Sequence, residues 1–177
     1  MGIYIFYFAL AIAGAAIHLH RTKEGRTRKR VLQICLLWTF GVLVGLTGVM
    51  AAVAHTFMAD QTAKEIGFPA GNPFQFEVAM ADLAIGVLGL MCLRFRDEFW
   101  LATIVAASVF LLGDAYGHIH QIVANNNHEP GNAGLPLYLD IVVPVGMMLL
   151  YVAYRRAPES SKTKRVSSRS GAPAPVS

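Results

Sequence analysis

The sequence predicts an all-α integral membrane bundle of five transmembrane helices. Three observations carry this: five long apolar runs, a low charge content, and Lys and Arg confined to alternate loops. The runs fall at residues 3–20, 31–55, 74–93, 99–121 and 137–154. About 20 residues rising 1.5 Å each match the ~30 Å hydrocarbon core of a bilayer. No water reaches the backbone there, so only helices or closed barrels cross, and runs this continuous are helical. Of 177 residues, 55% are hydrophobic and 15% charged, against roughly 25% charged in soluble domains. The mean hydropathy is +0.48. Five buried helices of a soluble domain, joined by loops this short, would leave too little polar surface.

The first run starts Met1-Gly2-Ile3-Tyr4 without a basic leader, and its basic residues follow it. That order reads as a signal anchor and not as a cleaved signal peptide. Six Lys/Arg lie between Arg21 and Arg30, two more are Arg94 and Arg96, and six lie from Arg155 onward, while the other two loops hold only Lys64. The positive-inside rule then places the N-terminus outside and the C-terminus in the cytoplasm. Tyr4, Tyr7 and Tyr138 fall at outer ends and Trp100, Tyr151 and Tyr154 at inner ends, as interfacial aromatics do. Residues 1–156 form the expected transmembrane domain. Residues 157–177, basic and Ser-rich with Ala-Pro-Ala-Pro near the end, are expected to be a disordered cytoplasmic tail. The bilayer is the expected partner, each basic residue near anionic lipid contributing about 1 kcal/mol. No nucleic-acid motif accompanies the tail. Cys35 and Cys92 lack any ligand spacing and read as small packing residues in a reducing compartment.

The ionisable residues inside the runs are distributed asymmetrically. Glu77, Asp82, Asp114 and Asp140 fall in the expected outer half, with His55 and His118 at the outer ends of the second and fourth helices. No Lys or Arg shares that half, so the acids have only histidine, a proton or an external cation to neutralise them. Part of this is ordinary helix-end electrostatics. The third helix begins Asn72-Pro73-Phe74-Gln75, an N-cap, Pro at N1 and Gln at N3. Glu77 is then one turn in, and Asp140 is placed alike if the fifth helix starts at Pro136. Acids at N-termini and His55, His118 and His120 at C-termini complement helix dipoles. Asp82 and Asp114 lie too deep for that, about 10 Å below the boundary. A charged residue at the centre of the membrane costs about 2.5–3.5 kcal/mol on insertion scales. Asp82 shares a face with Ala79, Gly86 and Gly89, which marks close helix packing. Asp114 and His118 stack at i, i+4, and Gly113 and Gly117 beside them invite a neighbouring helix. The plain alternative for both acids is a protonated carboxyl hydrogen-bonded between helices.

An offset of 63 residues carries His55 onto His118, Pro73 onto Pro136 and Glu77 onto Asp140. Gly71-Asn72 and Gly131-Asn132 sit in the two intervening loops, the second out of register by three. On one reading the second and third helices recur as the fourth and fifth, as parallel repeats do in transporters; two similar hairpins that each start a helix with Pro is the plainer reading. Either way the second to fifth helices form a four-helix core with the first packed outside. Pro144 leaves the Asp140 carbonyl without its i+4 donor and is expected to kink the fifth helix.

The run Asn72-Pro-Phe-Gln-Phe-Glu-Val-Ala-Met-Ala-Asp-Leu-Ala-Ile-Gly-Val-Leu-Gly89, with Phe110-Leu-Leu-Gly-Asp-Ala-Tyr-Gly-His118 and Pro130-Gly-Asn-Ala-Gly134 before Tyr138-Leu-Asp140, resembles a family of small prokaryotic membrane proteins of unknown function. The resemblance spans about residues 30–155. It implies a multi-pass protein of the prokaryotic cytoplasmic membrane and carries over no activity.

Three function classes remain. The first is a cation or proton site, on His55, Glu77, Asp82, Asp114, His118 and Asp140 in an outward-facing cavity. The inner half offers only His18 and His20, which argues against a simple through-channel. The second is an enzyme with a divalent metal or other cofactor on the same groups, with His55 and His118 as axial haem ligands a remoter variant. No Glu-x-x-His or His-Glu-x-x-His supports it. The third is a subunit or assembly partner, including a homo-oligomer, joined through Gly41-x-x-x-Gly45 or Gly113-x-x-x-Gly117.

Overall fold

A computed structural model describes residues 2–22 and 26–158. Its elements are α1 (Gly2–Arg21), α2 (Arg28–Trp38), a π-helical segment (Thr39–Leu46), α3 (Thr47–Phe57), α4 (Ala59–Glu65), α5 (Phe74–Met91), α6 (Glu98–Asn125) and α7 (Leu135–Arg156). α2, the π segment and α3 run on as one span, Arg28–Phe57. With α1, α5, α6 and α7 this makes five helices long and apolar enough to cross a membrane. The expected tail lies, from residue 159 onward, outside the described residues.

Local chemistry sets most boundaries. The Thr27 side chain accepts from Arg30 N and starts α2. Asn72 Oδ1 accepts from Phe74 N at 3.0 Å just ahead of α5, whose N-cap position is Pro73, one residue later than the sequence suggests. α6 stops at Asn126, which adopts the left-handed conformation (φ 51°) that Asn tolerates best after Gly.

The span 28–57 is not a plain α-helix. Across Thr39–Leu46 the backbone bonds widen, and Thr47 N reaches the Val42 carbonyl five residues back. This segment and α3 pack tightly on α5 through glycine. A methyl group at Gly86 would stand 2.7 Å from Val49 N, one at Gly89 2.7 Å from Gly45 N, and one at Gly48 2.8 Å from the Asp82 carbonyl oxygen. Only glycine permits that approach. α6 packs on α7, giving two helical hairpins. α1 lies against α2 and the π segment, where the Trp38 ring covers Gly14.

The hairpins meet at the end of the bundle that carries Arg94, Arg96, Arg155 and Arg156, here the basic end. Phe40, Trp100, Ile104, Val143, Met147 and Tyr154 pack there into one buried core. The Trp100 ring sits 5.4 Å from both Phe40 and Tyr154. Trp100, Tyr151 and Tyr154 are therefore core residues and not the interfacial belt their positions suggest. Trp100 tolerates burial because its Nε1 donates to the Cys92 carbonyl at 2.9 Å. The Cys92 thiol donates to Thr103 Oγ1, which donates to the Phe99 carbonyl.

Candidate functional site

Away from the basic end the hairpins splay, and a cavity of about 770 Å³ opens between them. α3 contributes His55, α5 contributes Gln75 and Asp82, α6 contributes Asp114 and His118, and α7 contributes Asp140. α1 is not wholly outside this arrangement, since Tyr4, Tyr7 and Phe8 form a wall. Five of the six candidate residues thus line one space. Glu77 does not. It is exposed, and its place is taken by Gln75, two residues earlier and 5% exposed. Residues two apart on a helix face apart. Gln75 lies in the stripe 75, 79, 82, 86, 89, whose 4-3-4-3 spacing follows the buried side of α5. Gln75 therefore does not reach back to cap its helix.

Both histidines are oriented by an amide. His55 Nδ1 lies 2.6 Å from Gln75 Oε1, and His118 Nδ1 lies 2.8 Å from Asn132 Oδ1. An amide oxygen only accepts, so the His118 ring, facing Asn132 Oδ1, carries its proton on Nδ1. Asn132 is fixed in turn: its Nδ2 donates to the carbonyls of Asn127 (2.8 Å) and His118 (3.3 Å), and it is 1% exposed. His118 Nε2 then faces Asp140 Oδ2 at 3.5 Å. With Nδ1 already protonated, attraction across that gap needs one further proton, on either the imidazole or the carboxyl. His118 and Asp140 so form a proton-holding pair. His118 pairs with Asp140, not with Asp114 one turn below.

Asp82 and Asp114 make no hydrogen bond or ion pair among the described residues. Asp114 lies within electrostatic reach of Asp82 and of Asp140, and the Tyr4 hydroxyl lies within reach of Asp82 and Asp140. No Lys or Arg lines the cavity among the described residues. Nor, among them, do three His, Cys, Asp or Glu side chains gather as ligands of one metal ion. The polar groups are spread around a space and do not form a coordination sphere.

Sequence reasoning missed Asn132, Gln75 and Tyr4. The stripe on α5 was the available signal for Gln75, and the loop pair Gly131-Asn132 hinted at Asn132. Nothing in α1 marked Tyr4. The glycines of α6 also behave otherwise than expected. No neighbouring helix approaches Gly113 or Gly117; both are exposed, both line the cavity, and no atom stands within 4 Å of where a side chain would begin.

Five apolar membrane-length helices around a cavity that holds ionisable side chains define a multi-pass helical membrane protein. The chain belongs to a family of unknown function, DUF6790, whose profile matches residues 1–160. No curated protein and no solved structure shows significant similarity to it.

Proposed function

We propose that this protein binds a cation in the acidic cavity, which lies in the half of the bundle away from its basic end. The observation that supports it most is the unopposed charge: Asp82, Asp114 and Asp140 share one space that no Lys or Arg lines among the described residues. Intramembrane carboxylates are costly, so their clustering without a resident counter-ion fits a binding role. The volume lies within the ~300–1,000 Å³ range of small-molecule sites. That size, and the scatter of the ligating groups, fit an organic cation better than a bare metal ion. The His118–Asp140 pair supplies a proton that can leave as the cation's charge arrives.

The cavity is blind. Beyond Val44, Leu111 and Val143 lies the packed core around Phe40, Trp100 and Met147, which leaves no polar path toward the basic end among the described residues. One-sided binding therefore suits it better than conduction. The Lys/Arg distribution supports a cavity in the outer half of the membrane, with the N-terminus out.

The test is thermal stability of the purified protein against inorganic cations and alkylammonium ions of increasing chain length. A cation at 100 times its Kd adds about 2.7 kcal/mol, a shift of several degrees. The shift should vanish in Asp82→Asn with Asp140→Asn. If no cation raises the melting temperature of the wild type, the reading falls.

A further inference from the structure

We infer that the ligand is a membrane-soluble amphiphile with an ammonium head group, and that it enters sideways from the bilayer between α5 and α6. This rests on the cation-site reading above and adds the ligand's class and its route.

The route follows from which walls are closed. Opposite the basic end, the two interhelical loops are tied together. Asn127 Nδ2 donates to the Ile66 carbonyl and Gly131 N to the Glu65 carbonyl, both at 2.9 Å. Glu65, Ile66, Gly131 and Asn132 all line the cavity, so this joined pair roofs it. The floor is the packed aromatic core. α3 and α5 are sealed by glycine-to-backbone contact, and α6 packs against α7. α1 and α7 scarcely touch, but on that side Tyr4, Tyr7 and Phe8 of α1 wall the cavity. α5 and α6, although consecutive in the chain, touch only sparsely.

On the α6 side of that cleft stand Gly113 and Gly117, exposed and open where a side chain would begin. Val109, Leu112 and Tyr116 beside them are exposed and largely apolar, as a lipid-facing surface is. The fourth apolar run ends at residue 121, so Gly117 lies about 6 Å and Gly113 about 12 Å inside it along the axis. The cleft therefore opens at hydrocarbon depth and not into water.

What lines the path selects the ligand. Phe74, Val78, Ile85 and Phe110 give it apolar walls that suit an alkyl chain. Beyond the glycines lie Asp82, Asp114 and Asp140, which suit a positive head. An ammonium group supplies the charge these carboxylates lack, and the chain keeps contact with lipid through the cleft. An anionic or zwitterionic lipid would set phosphate or carboxylate against three acids.

The experiment uses spin-labelled quaternary ammonium probes, with and without a dodecyl chain, and a dodecyl sulfate analogue, on the full chain in phosphatidylcholine nanodiscs. The electron paramagnetic resonance spectrum reports the motionally restricted fraction. The long-chain ammonium should be restricted and the sulfate not. A quaternary head meets the carboxylates by charge alone, so removing one of the three in Asp82→Asn should lower affinity roughly tenfold. Gly117→Leu enters open space, so the fold should survive while restriction of the long-chain probe is lost.

Equal binding of the short ammonium, indifferent to Gly117→Leu, overturns the lateral route and leaves the cation site standing. Equal binding of the sulfate overturns the ligand class. Restriction of no ammonium probe, with no stabilisation by any cation, removes both readings. Disulfide cross-linking of Gly117→Cys between two copies would show the cleft filled by a partner helix and overturn the inference too.

Discussion

The glycine contacts between α3 and α5 give the sharpest quantitative test, because one substitution should act with opposite sign at two helical sites. At Gly86 a new methyl would stand 2.7 Å from Val49 N and 3.0 Å from the Gly45 carbonyl oxygen. Both are backbone atoms, so no rotamer change relieves the overlap and the helices must separate. Overpacking of this kind costs about 1–3 kcal/mol. Gly146, inside α7, has no atom within 4 Å of the same position. Ala is preferred over Gly in helix interiors by about 0.8–1.0 kcal/mol at either site. That preference cancels when the two variants are compared, which leaves the steric cost alone. Gly86→Ala should therefore be less stable than Gly146→Ala by about 1–3 kcal/mol. At roughly 2–4 °C per kcal/mol for a chain this long, the melting temperatures should differ by several degrees. Gly146→Ala should melt at or above the wild type. Differential scanning fluorimetry in one detergent measures all three proteins. Should Gly86→Ala melt as high as Gly146→Ala, the close approach of α3 and α5 is wrong, and with it the wall of the cavity.

Two further outcomes follow. Asn132→Asp keeps the side-chain shape but removes both N–H donors from the Asn127 and His118 carbonyls; leaving them unsatisfied should cost about 1–3 kcal/mol, and an unchanged melting temperature would rule out the buried amide network. For orientation, exposed Ala70→Cys and Arg96→Cys are each made in a Cys35→Ala background, Cys92 being fully buried. An impermeant maleimide on intact cells should label Ala70→Cys at once and Arg96→Cys only after permeabilisation; the reverse order would invert the proposed topology.

The five spans were legible because lipid imposes a length and an apolarity that nothing else in a chain of this size requires. The residues inside the spans were harder. Glu77 was chosen for its charge, yet the 4-3-4-3 stripe through Ala79, Gly86 and Gly89 already selected Gln75. Face, set by helical period, outweighs the chemical interest of a side chain. Trp100, Tyr151 and Tyr154 sit at the depth of an interfacial belt, and sequence position gives depth without rotation. Their burial depends on tertiary partners such as the Cys92 carbonyl. The small helix α4 has no apolar period to announce it. It forms because Ala63 is fully buried and Thr62 Oγ1 bonds the Ala54 carbonyl. The glycines of α6 have the same spacing as a packing motif, and only the coordinates tell an occupied groove from an open one.

The widened backbone of Thr39–Leu46 fixes the angular phase of everything that follows it. Its surplus residue is absorbed without shifting Phe40 from the core or Gly48 from α5. Winding the same residues as an ordinary α-helix would turn α3 by about 100°. His55 would then swing from Gln75 toward lipid, and Gly48 would no longer face Gly86. A stretch with no ionisable group thus governs the bearing of one that has it, and its winding matters to the cavity as much as any acid there.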